Sequence, residues 1–380
     1  MIRFTRAALV AAALAVTGTA VRADNPTPGR PVDLVLCLDT SNSMDGLIES
    51  AKLKLWDVVN ELAKVKPTPV LRVGLYQYGN DNIPAATGWV QKEIDLTTDL
   101  DAVYAKLNGL KTRGGTEFVA RVTKTALNDL KWSDDGKALK LIFVCGNESA
   151  NQDKEVPLAG VAKLAKEKGV IVNTIYCGPA NNPEAGGWKE FAVLGGGRYG
   201  NIDQNKSAAQ QVVATPFDKE LGTLSGKLNQ TYLFYGKDAA EKKQNQVAQD
   251  ANAAKAAPGA AAARATTKAG ALYRNETDLL DRMKADKSFK LKEVAEAELP
   301  EELKKLKPDE REGYLKKKAE ERAAVQEQIV ALSAKRSAFI AEELKKKPKS
   351  EADKAFDESL RATIRAQAKE KGFQVPAEKK

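Results

Sequence analysis

A chain of 380 residues without a single histidine excludes Ser-His-Asp and Cys-His catalysis, HExxH zinc helices and imidazole-held copper or iron, so any metal here must be held by oxygen. The formal net charge is +9, yet the lysines are interleaved with glutamates and alanines and few aromatics are available to stack bases, which argues against nucleic acid as a partner. The three cysteines do not make a disulfide framework.

The chain opens with MIRFTRAALVAAALAVTGTAVRA. Arg3 and Arg6 precede an apolar stretch too short to span a bilayer, and Val21-Arg22-Ala23 has the small-x-small pattern of a cleavage site, so residues 1–23 read as a secretory signal. No later run is apolar enough to cross a membrane, and the mature protein is expected to be secreted or periplasmic. Cys37, Cys145 and Cys177 each lie within or at the end of an apolar run. Buried free thiols are the plain expectation, and a Cys37–Cys145 bridge is the alternative that export would permit.

From about residue 31 to 204 strand-like and helix-like segments alternate. Val32 to Leu38 is almost wholly apolar, as for a strand covered on both faces of a parallel sheet. Residues 45–64 place Leu47, Ile48, Leu55, Val58, Val59 and Leu62 on one helical face. VLRVGLYQYG is a second strand, and GWVQKEIDL, which alternates polar with apolar residues, is an edge strand. Thr98 or Asp99 caps a short helix through Leu107, and TEFVARVTKTALNDL supplies another. ALKLIFVCGNE is a buried strand, EVPLAGVAKLAKEKG a helix stopped by Gly169, and VIVNTIYCG the next strand. GGWKEFAVLGGGRYGNID gives a short helix, a glycine break and a last strand. This alternation predicts an α/β fold with a doubly wound, mostly parallel sheet and helices on both faces.

An amphipathic helix and tail follow to about residue 236, closing a globular unit expected over 24–236. Residues 237–272, rich in Ala, Gln and Lys and broken by Pro258-Gly259, read as a linker or loosely helical spacer. Residues 273–380 read as a charged helical region, with Thr277 capping DLLDRMKADK, prolines at 300 and 308 as punctuation, and one long helix from Asp309 to about Lys347. Within it Val325, Ile329, Leu332, Arg336 and Phe339 recur at spacings of 4, 3, 4 and 3. That seam fits a short coiled coil, a helical hairpin or a weak homo-oligomer, and equally a solvated amphipathic helix.

The chemistry concentrates in VLCLDTSNSMDG, residues 35–46. Asp39 ends a buried strand at the edge where doubly wound sheets bind ligands, and Asp39, Ser41 and Ser43 offer the oxygen donors that Mg²⁺, Mn²⁺ or Ca²⁺ prefer. Asp, Ser and Asn also make turns and helix caps, so the stretch alone leaves both readings open. RGGTEF adds Thr116 after two glycines, again before a helix. The order of strand, Asp-x-Ser-x-Ser, helix, two strands, Gly-Gly-Thr, helix and strand resembles the von Willebrand factor A-type (VWA) domain, here as in secreted bacterial proteins with a helical C-terminal extension. The Trp188 helix and glycine-rich turn near residue 196 also resemble the end of that domain.

The resemblance implies a metal-ion-dependent adhesion site with Asp39, Ser41, Ser43 and Thr116 as ligands or ligand-supporting groups. It implies one divalent ion whose open coordination position takes a carboxylate from a protein or anionic surface ligand, with no covalent chemistry. One position departs from the family: the Asp-Gly pair that normally ends the fourth strand is Gly146-Asn147 here. Losing that charge weakens cation binding, with Glu148 or Asp153 as candidate compensation. Asp81 and Trp188 lie on loops that could border the rim, though Asp81 fits a plain turn residue and Trp188 a packing residue. A structural envelope scaffold with a degenerate metal site is the alternative function. A metal-dependent hydrolase is less well supported, because no tunable general base stands beside Asp39 and Glu148.

Overall fold

The computed structural model describes residues 29–179, 181–202, 213–346 and 351–376, with some side chains inside helices also left aside. The signal expected at 1–23 lies outside the described residues. Six strands form one sheet in the order β3-β2-β1-β4-β5-β6: β1 (Pro31–Asp39), β2 (Val70–Tyr78), β3 (Val90–Thr97), β4 (Leu139–Gly146), β5 (Ile171–Cys177) and β6 (Gly196–Ile202). All neighbours pair parallel except β2 and β3. The expected edge strand is therefore also the antiparallel one.

The helices between strands are α1 (Asp45–Leu62), α2 (Leu100–Gly109), α3 (Val119–Asp129), α4 (Leu158–Glu167) and α5 (Ala185–Leu194). They divide the core in two. Leu34, Leu38, Leu75, Leu141 and Phe143 face α1 and α2, while Val35, Ile142, Val144 and Val172 face α3, α4 and α5. Strands apolar on both faces are what such coverage requires. Asp99 caps α2, its side chain accepting from the Ala102 amide at 2.9 Å.

Cys37 belongs to one of these cores and Cys145 to the other, and all three cysteines are buried and form no disulfide among the described residues. The bridge considered from the sequence is absent because successive side chains on adjacent strands fall on opposite faces of the sheet.

Beyond the sheet lie α6 (Asp218–Asn229), α7 (Ala239–Ala256), α8 (Pro258–Ala269), α9 (Leu279–Ala285), α10 (Glu301–Lys304), α11 (Pro308–Lys346) and α12 (Glu351–Glu370). The segment read as a linker or loosely helical spacer forms the two packed helices α7 and α8. Ala253, Ala262, Ala263 and Ala265 are buried in the same core as Leu34 and Trp56, because small side chains let helix backbones approach and so bury area that a hydropathy count undervalues.

The polar residues of this segment are buried too. Arg264, 1% exposed, bonds Asp101 of α2 at 2.6 Å and Asp250 of α7 at 2.5 Å. Lys268 meets Asp250 at 2.8 Å. Asp278 rather than Thr277 caps α9, accepting from the Asp281 amide at 2.9 Å.

The heptad-like seam of α11 is used within the chain. Ile329 and Leu332 join the main core, Phe339 packs edge-on against Phe217, and Arg336, the polar exception, bonds Asp218 at 2.7 Å. The seam therefore has an intramolecular partner and does not call for a second copy. At the far end α12 returns to the sheet, where Gln367 and Asn173 of β5 exchange hydrogen bonds and Arg365 pairs with Glu61 of α1. No helix among the described residues is long and apolar enough to cross a membrane.

Candidate metal centre

The strand order reverses between β1 and β4, and the crevice outside the C-terminal ends of those strands is where an open α/β sheet binds ligands. Asp39 is the last residue of β1 and is fully buried there. Its Oδ1 accepts from the Ser41 amide at 2.8 Å, while its Oδ2 has no hydrogen-bond partner among the described residues. Two glycines make room for this carboxylate. A Cβ on Gly146 would stand 2.5 Å from the Tyr78 hydroxyl and 3.1 Å from Asp39 Oδ2, and one on Gly79 would stand 2.9 Å from Asp39 Oδ1. The Ser41 and Ser43 hydroxyls lie 3.3 Å apart, and Ser43 is bonded by the Asn147 amide group at 2.9 Å.

The Gly-Gly-Thr loop is laid along this first loop by three bonds: the Arg113 amide to the Thr40 carbonyl at 2.9 Å, the Gly114 amide to Asn42 Oδ1 at 2.8 Å, and the Thr112 hydroxyl to Asp45 at 2.5 Å. Asn80 ties the two together by donating to the carbonyls of Thr40 and Lys111. Gly115, at φ 130°, backs directly onto the Gly79 carbonyl, a close approach only glycine permits. Thr116, half-buried, follows on this rim. The structure thus brings Asp39, Ser41 and Ser43 together and runs the Thr116 loop beside them.

Among the other acids considered, Glu148 is exposed but close enough for its charge to act on both Asp39 and Glu117, and its carbonyl accepts from the Trp188 indole at 2.8 Å. Trp188 is fully buried, as a packing residue. Asp81 is exposed against Gly114, at the edge of the same loop. Asp153 does not compensate for the missing strand-end acid. It is turned away into a two-pronged ion pair with Arg121 at 2.7 and 2.9 Å.

The residue that sequence reasoning passed over is Glu117. It is 6% exposed, and its Oε2 has no hydrogen-bond partner among the described residues. A Cβ on Gly79 would touch its Cγ at 2.7 Å as well as Asp39, so both carboxylates line one glycine-cleared space. Burial, and then repulsion from Glu117, push the Asp39 carboxyl well above the usual carboxylate range. Burial and the charge of Glu148 push Glu117 up to about 7, against the lowering influence of the neighbouring Ser41 and Gln152 side chains.

Two desolvated carboxylates with orphaned oxygens are costly unless they take up protons or share a cation. The donors are oxygens throughout, which suits a hard divalent ion. Among the described residues no group of three or more His, Cys, Asp or Glu could hold a metal, so an ion here depends on hydroxyls as well as carboxylates. Asp39, Ser41, Ser43 and the half-buried Thr116 fit such an ion on this chemistry.

The family model for the von Willebrand factor type A domain matches residues 33–186, and the six-stranded sheet with its flanking helices is of that type. No curated protein matches the chain. Among solved structures, proximal thread matrix protein 1 of the mussel byssus, with zinc in its MIDAS motif, is 12% identical over 47% of this chain and 43% of that one, at a TM-score of 0.38. The SpRpn10 VWA domain is 18% identical over 49% of this chain and all of that one, at 0.36. A von Willebrand factor type A protein from Catenulispora acidiphila is 14% identical over 48% of this chain and 41% of that one, at 0.34. The chain spans less than half the length of the mussel and Catenulispora proteins.

Proposed function

We propose that the α/β domain is a non-enzymatic, divalent-cation-dependent binding module of an exported protein. Asp39, Ser41, Ser43 and Thr116 hold one Mg²⁺, Mn²⁺ or Ca²⁺, and an acidic group on a protein or anionic surface ligand completes its coordination. The observation that carries this reading is the unpartnered, fully buried Oδ2 of Asp39 at the switch point of the sheet, beside paired hydroxyls. Such an oxygen is stable only with a proton or a cation. The helical region fixes this module in place and adds a basic surface, which favours acidic partners through longer-range attraction.

The test is a thermal melt of the full chain with and without millimolar Mg²⁺, Mn²⁺ or Ca²⁺, repeated with Asp39→Asn. A cation-dependent rise that the variant lacks supports the reading, and identical curves with every ion refute it. The scaffold reading draws on a different observation: Ser43 is already bonded by Asn147, and β4 ends in Gly146 without a carboxylate. It requires partner binding to survive Asp39→Asn.

A further inference from the structure

We infer that Glu117 is a metal-binding residue of this site, supplying from the Gly-Gly-Thr loop the second carboxylate that the end of β4 lacks. The inference rests on the proposed cation-binding reading and names a ligand that the family pattern does not. Four observations converge on it. Gly146, where β4 would carry the acid, has no room for one: any Cβ there meets the Tyr78 hydroxyl at 2.5 Å and the Trp188 ring at 3.0 Å. Asn147 and Glu148, the next residues, are respectively bonded to Ser43 and exposed. Glu117 by contrast is 94% buried, and its Oε2 is orphaned like the Oδ2 of Asp39. Finally, Glu117 stands with Asp39 against Gly79, where a Cβ would meet its Cγ at 2.7 Å and Asp39 Oδ1 at 2.9 Å.

An acid without a structural partner does not stay buried beside a second acid for packing reasons, since desolvation and like-charge repulsion both oppose it. A shared dication reverses both costs. Two carboxylates then neutralise the ion, and hydroxyls and an incoming acid fill the remaining positions, an all-oxygen set that favours Mg²⁺, Mn²⁺ or Ca²⁺ over softer metals. Moving the carboxylate from β4 to the second loop leaves the charge count unchanged while changing the side of the site from which it comes.

The experiment is a Mn²⁺ titration of the full chain by calorimetry, with melts in chelator and in Mn²⁺, for wild type, Glu117→Gln, Glu148→Gln and Asp39→Asn. Glu117→Gln is expected to weaken Mn²⁺ binding about tenfold or more, because affinity follows ligand charge, while Glu148→Gln leaves it near wild type. In chelator Glu117→Gln is expected to melt higher than wild type, since a buried acid without a partner for its Oε2 is gone, and to gain less from Mn²⁺. That opposite pair of shifts separates a ligand from a structural residue, whose loss lowers both melts. The inference is overturned if Glu117→Gln binds Mn²⁺ like wild type while Asp39→Asn does not, or if it melts lower than wild type in chelator. Absence of Mn²⁺ uptake by the wild-type chain overturns the proposed function itself, and the Glu117 assignment with it.

Discussion

Replacing Arg264 with alanine tests whether the C-terminal helices are part of the domain or an appendage. The guanidinium lies over the Trp56 ring of α1, its central carbon 4.8 Å from the ring centroid. It donates to Asp101 of α2 at 2.6 Å, to Asp250 of α7 at 2.5 Å and to the Gln246 carbonyl at 3.1 Å. One side chain on α8 thus joins three other helices. Its removal leaves the Asp101 carboxylate, with a side chain 6% exposed, bonded among the described residues only by the Tyr273 hydroxyl at 2.5 Å. Asp250 keeps Lys268 and Asn229 and so suffers less.

Breaking a buried pair on one side costs about 3–5 kcal/mol, and lost contact with Trp56 adds to it. Equilibrium urea unfolding followed by tryptophan fluorescence reads this directly, because Trp56 sits under the substituted group. A loss below about 1 kcal/mol, the worth of an exposed ion pair, would refute the packed arrangement and restore the linker reading of residues 237–272.

Three further outcomes follow from the site and its surroundings. Asp39→Asn should abolish the cation-induced rise in melting temperature; for wild type at a hundred times the dissociation constant that rise corresponds to about 2.7 kcal/mol, and an undiminished rise in the variant would place the ion elsewhere. Gly146→Ala should destabilise by about 1–3 kcal/mol through overpacking against Tyr78, and chemical unfolding should find Tyr78→Phe less damaging in that background than alone, since it removes the clashing oxygen. Acid should weaken the fold through Asp250. Burial raises its pKa, but Arg264 and Lys268 outweigh that and hold it below the ordinary value. Its stabilising contribution is therefore complete above about pH 4 and is lost as pH falls through the lower folded-state value. Asp250→Asn should flatten this acid limb in melts taken between about pH 2 and 5, and an unchanged slope would contradict the pairing.

The strands and the helices between them were legible because apolar runs and 3.6-residue periodicity are local properties of a chain. The loops bearing Asp39, Ser41, Ser43 and Thr116 were legible because Asp-x-Ser-x-Ser and Gly-Gly-Thr each punctuate a strand–helix junction. Glu117 was not, since an acid just before a helix reads as a favourable dipole partner. The approach of Gly79, some forty residues earlier in the chain, helps to cover it. The packed helices of residues 237–272 were illegible for a similar reason. Alanine, glutamine and lysine look like solvated spacer, and the partners that make Arg264 a core residue come from Asp101 and Trp56, more than 150 positions away. Arg336 looked like a flaw in a heptad seam, whereas Asp218 on α6 makes it a specific contact.

The same packing decides how the function should be dissected. α1 begins just after Ser43, and its far half is held by the extension: Asn60 bonds the Ala263 carbonyl at 2.9 Å and the Thr267 hydroxyl at 2.8 Å, Glu61 pairs with Arg365, and Trp56 lies under Arg264. Cutting the chain near residue 236 would expose this face, strip Asp101 of its cation and loosen the helix whose first turn adjoins the candidate metal ligands. Loss of partner binding in such a truncation would follow whether the partner touches the metal or the extension. The discriminating comparison is between point substitutions that leave the helices in place. If Asp39→Asn abolishes capture of an acidic partner while exposed lysine-to-glutamine changes at Lys316 and Lys317 on α11 do not, recognition lies at the sheet rim; the reverse result assigns it to the basic helical surface.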